Sequence, residues 1–397
     1  MATRLARRME QISGSPSSAL IARVAELRRQ GENIVGLNIG EPDFGTPPAA
    51  KVAGIKAICE NFTKYTPGAG IAELREEIIK KLKRDNGLTY DMNEIAVTVG
   101  AKQAIANALL ALVDEGDEVL LPVPCWVSYT EMVKLANATP VFVPVHDDYT
   151  LDLDAIEAAI TPNTRAIVIC TPNNPTGAVY SRESLQKLAD LAIEHDFMVI
   201  ADEIYERLIY DGYEHVSIAS LSQEAWEHTI TVNGMSKAFA MTGWRIGYAA
   251  GNKTVLKAMK ALQTQQTSAT SAISQKAAVD ALKYAEPDVE AMVAEFAKRR
   301  DHIMELIEGT EGFSCPTPHG AFYAYVDVTP LFGKKAGDQE IASSMDLAAY
   351  LLDDAKVALL PGENFGLGGR IRMSYATSME NLDEAFKRMR ASLAKLS

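Results

Sequence analysis

Between about residue 70 and residue 250, short β-rich runs alternate with helical stretches. This rhythm limits the folds open to the chain more than any other feature of its 397 residues. A helix over 72–85 precedes a strand at Ile95–Val99, and a helix over 102–113 precedes Glu118–Leu121. Helices over 127–136, 153–160 and 182–195 lead to strands at Pro140–Val145, Ala166–Cys170 and Phe197–Ala201. Further strands follow at 229–233 and 245–250. Such alternation predicts an α/β fold, a mostly parallel sheet covered by helices on both faces. Ligands of such sheets bind beyond the carboxyl ends of the strands.

The flanking segments read differently. Leu20, Ile21, Val24 and Leu27 mark a helix over 17–30, and a short apolar strand over 33–39 runs into Gly40–Pro48, too rich in glycine and proline for regular structure. After 252 two long helical stretches, 252–283 and 287–308, precede strands at 321–327 and 370–375 around a helix over 341–353. A last helix covers 380–394. The expected division is a large domain over 49–285 and a smaller α/β domain built from 286–397 and the N-terminal segment 1–48.

Composition narrows the function classes. Hydrophobic residues are 47% and charged residues 23%, as in an ordinary soluble globule, and the net charge of -13 argues against a nucleic-acid partner. The basic start has no apolar run behind it and the longest apolar stretch, Ile105–Val113, is too short to span a bilayer, so the expectation is a cytoplasmic protein with no membrane partner. Cys59, Cys125, Cys170 and Cys315 form no C-x-x-C pair, and the histidines show no H-E-x-x-H spacing, so no metal is expected. A P-loop, a G-x-G-x-x-G after a strand and a G-x-S-x-G elbow are also missing; the run Gly362–Gly369 reads as a loop.

Polar residues collect where strands should stop. Lys237 stands almost alone as a charge in Asn233–Tyr248, with Arg245 eight residues on. Asn174 sits in a Pro/Gly turn after Ala166–Cys170, where it either presents its amide to a ligand or only makes the turn. Asp202 ends Phe197–Ala201 as a helix cap or as a carboxylate aimed at a protonated ligand nitrogen, and Tyr205 can reach the same cavity. Gly100-Ala101-Lys102 opens a helix in the manner of a phosphate seat, although many such starts bind nothing. Trp126 either stacks on a flat ring or belongs to the core. Arg370 and Arg372 share a strand face, one suited to an acid partner and the other to a two-pronged bond with a carboxylate. Together these residues are the inventory of a pyridoxal phosphate site: a Schiff-base lysine, an acid for the ring nitrogen, and donors for the phosphate and phenolic oxygen.

The motifs Gly40-Glu-Pro-Asp-Phe, Lys64-Tyr65-Thr-Pro, Gly100-Ala-Lys102-Gln, Trp126-Val-Ser-Tyr129, Asn173-Asn174-Pro-Thr-Gly177, Asp202-Glu-Ile-Tyr205, Ser236-Lys237 through Arg245-Ile-Gly-Tyr, and Arg370-Ile-Arg372 run in order along almost the whole chain. In these the chain resembles the class I aminotransferases of fold type I, closest to bacterial aspartate aminotransferases of the aspartate/prephenate subgroup. The resemblance implies a seven-stranded, mostly parallel sheet and a smaller domain. It also implies pyridoxal 5'-phosphate as cofactor, held by Lys237 as Schiff base and proton shuttle. Asp202 would pair with the ring nitrogen, Tyr205 and Asn174 with the phenolic oxygen, and Trp126 would stack on the ring. Ala101, Lys102 and Arg245 would serve the phosphate, and Tyr65 would reach the site of the other subunit of a homodimer. Arg372, Asn174 and the Gly40 backbone would take the substrate α-carboxylate, with Lys102 and Ser17 near a distal one. The implied reaction is ping-pong transfer from L-aspartate to 2-oxoglutarate. Cys125 and Ile12–Ser18 depart from the family pattern, which loosens the case for aspartate and for prephenate and keeps aromatic and alanine-type donors open; prephenate specificity and a carbon–sulfur β-lyase are further alternatives.

Overall fold

The computed structural model describes residues 5–14 and 16–397; the side chains of residues 7, 16–19 and 21 also lie outside the description. Along the chain come α1 (Pro16–Arg29), β1 (Val35–Gly36), α2 (Pro48–Cys59), α3 (Ala72–Asn86), β2 (Ile95–Thr98), α4 (Gly100–Leu112), β3 (Glu118–Val123), α5 (Ser128–Leu135) and β4 (Thr139–Pro144). Then follow α6 (Leu153–Ala159), β5 (Thr164–Cys170), α7 (Arg182–Glu194), β6 (Met198–Asp202), α8 (Gln223–Glu227), β7 (Thr229–Gly234), β8 (Gly247–Gly251), α9 (Lys253–Gln266), α10 (Ala272–Tyr284) and α11 (Glu286–Glu308). The last part holds β9 (Tyr323–Asp327), β10 (Lys335–Ala336), β11 (Gln339–Glu340), α12 (Ser344–Asp353), β12 (Val357–Ala358), β13 (Leu360–Pro361), β14 (Arg370–Ser374) and α13 (Met379–Leu393).

Seven strands form the main sheet in the order β2-β8-β7-β6-β5-β3-β4. Only β8 runs against its neighbours, pairing antiparallel with both β2 and β7. The predicted doubly covered sheet is therefore present, with one reversed strand. Its central strands are buried on both faces because helices cover both; every residue of β7 and β8 is buried, including Thr229, Thr231 and Asn233 on one face of β7. A fully buried branched side chain such as Ile200 or Ile230 stabilises by about 1.5–3 kcal/mol. The apposed strands β5, β6 and β7 end together, so Cys170, Asp202 and Val232 lie near one edge.

β9, β13 and β14 form a separate antiparallel sheet. β1 pairs with β12, although 322 positions later in sequence order, through Val35 with Val357 and Gly36 with Ala358. Val24, Leu27 and Ile34 bury against Leu352 and Ala358, so the N-terminal segment packs on the late part of the chain.

Three local expectations need correction. The strand expected over 33–39 shrinks to two residues, because beyond Leu37, whose N and O still bond Ala358 O and Ser374 N, the carbonyls of Asn38 and Gly40 accept from Arg372 and Lys237 instead of a ladder. The single helix expected over 252–283 is broken at Thr267–Ser271: Ser268 has φ +61° and Ser271 caps α10 by accepting from Ser274 N at 3.3 Å. α2 was not expected. It buries Ala50, Ala53, Gly54 and Ala57 and exposes Val52, Ile55 and Ile58, which inverts the usual amphipathic pattern. Among the described residues no helix is long and apolar enough to cross a membrane.

Candidate active site

A cavity of about 320 Å³ opens at the carboxyl edge of the main sheet. Lys237, Asp202, Tyr205, Asn174, Ala101, Lys102, Trp126, Arg245, Gly40 and Arg372 all line it, drawn from segments more than 330 positions apart in sequence order. Tyr65 does not; it is 97% exposed. Ser17 lies outside the residues whose side chains are described.

Lys237 follows β7, and its Nζ donates to the carbonyl of Gly40. Burial, and next the positive charge of Arg372, push its pKa down to about 8, against the pull of Glu41 and Asp202. A lysine near neutrality is a competent amine nucleophile. Asp202 is the last residue of β6 and is 4% exposed. Its Oδ2 accepts from Tyr129 Oη at 2.7 Å and its Oδ1 from Ile204 N at 3.3 Å. Burial pushes its pKa up to about 6, partly opposed by the Tyr129 bond. The carboxylate thus has two neutral donors and no cation in bonding contact, a costly state that a protonated ligand nitrogen would relieve.

Tyr205 and Tyr323 share a hydrogen bond between their hydroxyls at 2.9 Å, and burial, then the neighbouring Tyr323, raises the Tyr205 pKa. Tyr323 also limits the approach of the 38–44 segment, since a Cβ at Gly40 would stand 2.8 Å from its hydroxyl. Trp126 is partly buried and meets Tyr129 edge-on at 5.4 Å. The Lys102 ammonium lies 4.7 Å from the centre of the Trp126 ring, and desolvation, then Arg245, lowers its pKa.

α4 begins at Gly100, whose φ is +74°. A Cβ there would stand 2.5 Å from Arg245 Nη2, so glycine is required for the guanidinium to approach the helix start. Arg245 itself has φ +57° and donates from Nη1 to Thr242 O at 2.8 Å. Helix amides and a guanidinium in one place form an anion seat.

Arg372 lies in β14 and is 4% exposed. Nη1 donates to Asn174 Oδ1 and Nη2 to Asn38 O, each at 2.9 Å, and Nε has no partner among the described residues. The guanidinium lies 4.3 Å from the Tyr323 ring centre and 5.1 Å from that of Phe365. No carboxylate pairs with it among the described residues, whereas Arg370, two positions earlier, pairs with Asp327 at 3.1 Å. The two arginines therefore divide as their strand position allowed, one tied to an acid and one left to the cavity.

Four contributors carried no role in the sequence reading. Tyr129 lay within a quoted motif, three residues after Trp126, but only the fold shows that it reaches Asp202. Tyr323 had no local signal. Asn364 and Phe365, from the loop over Gly362–Gly369, complete the cavity wall.

Comparison with known proteins agrees with this geometry. The family model for aminotransferase class I and II matches residues 32–389. A probable aspartate/prephenate aminotransferase of Rickettsia bellii is 43% identical over 99% of both chains. An aspartate aminotransferase of Geobacillus stearothermophilus is 42% identical over 97% of this chain and 98% of its own. Among solved structures, the aspartate aminotransferase of Thermus thermophilus with maleate superposes with a TM-score of 0.93 at 44% identity, covering 98% of this chain and 100% of that one. That of Rhizobium meliloti gives 0.96 at 40% identity with both chains fully covered.

The family implies pyridoxal phosphate, and the cavity fits it on its own chemistry. The Gly100 cradle, buried Asp202 with no cation in bonding contact among the described residues, and Lys237 with its lowered pKa suit this cofactor's phosphate, ring nitrogen and aldehyde. The chain belongs to the class I and II aminotransferases, as a fold type I pyridoxal phosphate-dependent enzyme of the aspartate/prephenate aminotransferase subgroup.

Proposed function

We propose that this enzyme moves the amino group of L-aspartate to 2-oxoglutarate, giving oxaloacetate and L-glutamate. The carrying observation is that, besides Arg245 at the anion seat of the α4 start, the cavity holds Arg372 and Lys102, each without a carboxylate partner among the described residues. A dicarboxylic substrate supplies one carboxylate to each. The relatives described as aspartate aminotransferases support the same reading.

Bound pyridoxal phosphate supplies the electron sink for charge that develops at the substrate Cα. Asp202 would hold the proton on the cofactor's ring nitrogen, and Tyr129 holds Asp202 in place. Tyr205 would donate to the phenolic oxygen. Asn174 gives its Oδ1 to Arg372, which leaves its amide hydrogens for the same oxygen. Trp126 would pack against the ring. Ala101, Lys102 and Arg245 would hold the phosphate, and Lys102 would also serve the distal carboxylate. Gly40 O, which accepts from Lys237, and the neighbouring Asn38 O, which accepts from Arg372, place the N-terminal segment against the substrate. Lys237 would hold the cofactor through its Nζ and, as a free amine, would carry the proton from the substrate Cα. Amino donor and acceptor use the same groups in turn, in ping-pong order.

The active unit is a homodimer, with Tyr65 reaching the partner's phosphate. Support comes from the 97% exposure of Tyr65 and the apolar outer face of α2, where Val52, Ile55 and Ile58 are 64%, 62% and 55% exposed. The pairing of β1 with β12 supports a small domain built from 1–48 and 286–397 around a large domain of 49–285.

A second reading, prephenate as amino acceptor, is favoured by the likeness to the Rickettsia bellii relative. One panel tests both. The visible absorbance of the lysine-bound cofactor is followed after mixing with single amino acids, then with single keto acids. Aspartate and glutamate bleach it faster than alanine or phenylalanine if the leading reading holds. Equal rates for all four donors sink it. Recovery of the band with prephenate as fast as with 2-oxoglutarate establishes the second.

A further inference from the structure

A second set of buried charges underlies the turn that carries Asp202 and Tyr205. Glu203 and Glu206 alternate with them along Asp202–Glu206, and neither lines the cavity. Glu203 Oε1 accepts from Ser217 Oγ at 2.7 Å, and its Oε2 lies 3.1 Å from His215 Nε2 as an ion-pair contact without hydrogen-bond geometry; that oxygen and both His215 ring nitrogens have no hydrogen-bond partner among the described residues. Glu206 accepts from Lys81 Nζ through Oε1 and from Asn86 Nδ2 through Oε2, the latter at 2.8 Å. Lys81 also donates to Asn86 Oδ1 at 2.8 Å. The four charged side chains are 1% to 8% exposed. Such a group persists only if its charges cancel.

Glu203, Glu206 and His215 bring ligand atoms within 4.8 Å of one another, so a metal ion is the first alternative. The bonding already present argues against it. Both Glu206 oxygens are engaged, which leaves only Glu203 and His215 to coordinate. Two carboxylates, the Lys81 ammonium and a divalent ion would also leave one positive charge uncompensated in a dry site. A proton on the imidazole leaves none.

We propose that His215 is held as an imidazolium and closes, with Lys81, Glu203 and Glu206, an electroneutral cluster that positions the Asp202–Tyr205 turn. Its members are positioning residues, since none touches the cavity. Burial alone would lower the His215 pKa, but the Glu203 charge and contact, then Glu206, outweigh it and the net direction is up from 6.5. The other groups near the cluster do not supply the missing charge. Tyr248 of β8 and Tyr90 are phenols that burial keeps protonated, and Asp85, Arg207 and Glu286 pair with one another on the outer side. A folded-state pKa above the unfolded one gives stability that is complete below the unfolded value and is lost as pH rises through the folded value.

The catalytic consequence rests on the roles proposed for Asp202 and Tyr205; the charge state does not. The test uses the full chain saturated with pyridoxal phosphate. Ring ¹⁵N spectra across pH identify His215 by its loss in His215→Asn, or by removing the other five histidines in turn should that variant not fold. His215 is expected to be doubly protonated at pH 7 and to become neutral there in Glu203→Gln. Wild-type melting temperature is expected to fall as pH rises above 6.5, more steeply than in either variant. Cofactor affinity is expected to weaken roughly tenfold in Glu203→Gln, the usual scale for a supporting residue. A neutral His215 at pH 7 in the wild type, or stoichiometric metal by elemental analysis, overturns the charge assignment. Unchanged cofactor affinity in Glu203→Gln overturns the positioning role. Failure of the wild type to bind the cofactor would instead sink the site reading and leave the His215 titration to be read by itself.

Discussion

Replacing Arg372 by leucine separates a binding residue from a structural one. The guanidinium is buried, its two neutral acceptors are Asn174 Oδ1 and Asn38 O, and no acid compensates it among the described residues. As a structural element it is therefore expensive, because a buried charge without a countercharge forfeits several kcal/mol of hydration. Leucine at this position removes that penalty and leaves two oxygens unpaired, at about 1–3 kcal/mol each. These effects oppose, so the Arg372→Leu protein should melt within about 2 kcal/mol of the wild type. Activity behaves otherwise. Two charge-assisted bonds to a carboxylate are worth about 1.5–3 kcal/mol each, so kcat/KM should fall by about 10² to 10⁴. Arg372→Lys keeps the charge but not the fork and should fall between the two. The assays are thermal melting of the cofactor-saturated protein and half-reaction rates with aspartate. A variant that keeps kcat/KM within tenfold of the wild type, or that loses folding and activity together, refutes the reasoning.

Other outcomes follow from the same geometry. Gly100→Ala should cost about 1–2 kcal/mol from its left-handed backbone and should also weaken cofactor binding by displacing Arg245, as melting and cofactor titration will read. In the cofactor-free protein the folded Asp202 holds its proton up to about pH 6 while the unfolded one releases it near 3.8, so stability falls as pH rises across that window. Denaturant titrations should show that slope in the wild type and a reduced one in Asp202→Asn. Lys237 acts in the opposite sense: its folded pKa of about 8 lies below 10.5, so cofactor-free stability gains a rising component over that interval that Lys237→Met removes. Lys102→Ala should slow dicarboxylic donors selectively in single-turnover rates, and a uniform loss would place Lys102 at the phosphate alone.

Much of this site was legible because its residues sit at strand ends. β5 and β6 read as uninterrupted apolar runs, so Asn174 and Asp202 stood out where each run stopped. Arg370 and Arg372 share a strand face, so alternation could not separate them; the acid that does, Asp327, lies opposite Arg370 on the neighbouring strand, where Arg372 faces Tyr325. What stayed hidden depends on contacts distant in sequence. Tyr323 meets Tyr205 only because the late sheet folds back over the turn after β6. The Lys81–Glu206 pair joins a helix and a turn 125 positions apart, and Lys81 reads in the sequence as one more surface charge of α3. α2 escaped because alanines and a glycine form its buried face, with Gly54 leaving room for the Trp244 ring. The break after α9 was marked by Thr267-Ser-Ala-Thr-Ser271, a loop-forming composition that a helical period on either side obscured.

The central claim is transfer of an amino group between two dicarboxylic acids through Lys237. Its most direct test is to incubate the cofactor-saturated protein with ¹⁵N-labelled aspartate and 2-oxoglutarate and to follow the label by NMR. The label is predicted to appear in glutamate, with oxaloacetate formed in equal amount, and to stay in aspartate when Lys237→Ala replaces the wild type. Label recovered as ammonia, or transfer that persists without Lys237, would contradict the claim.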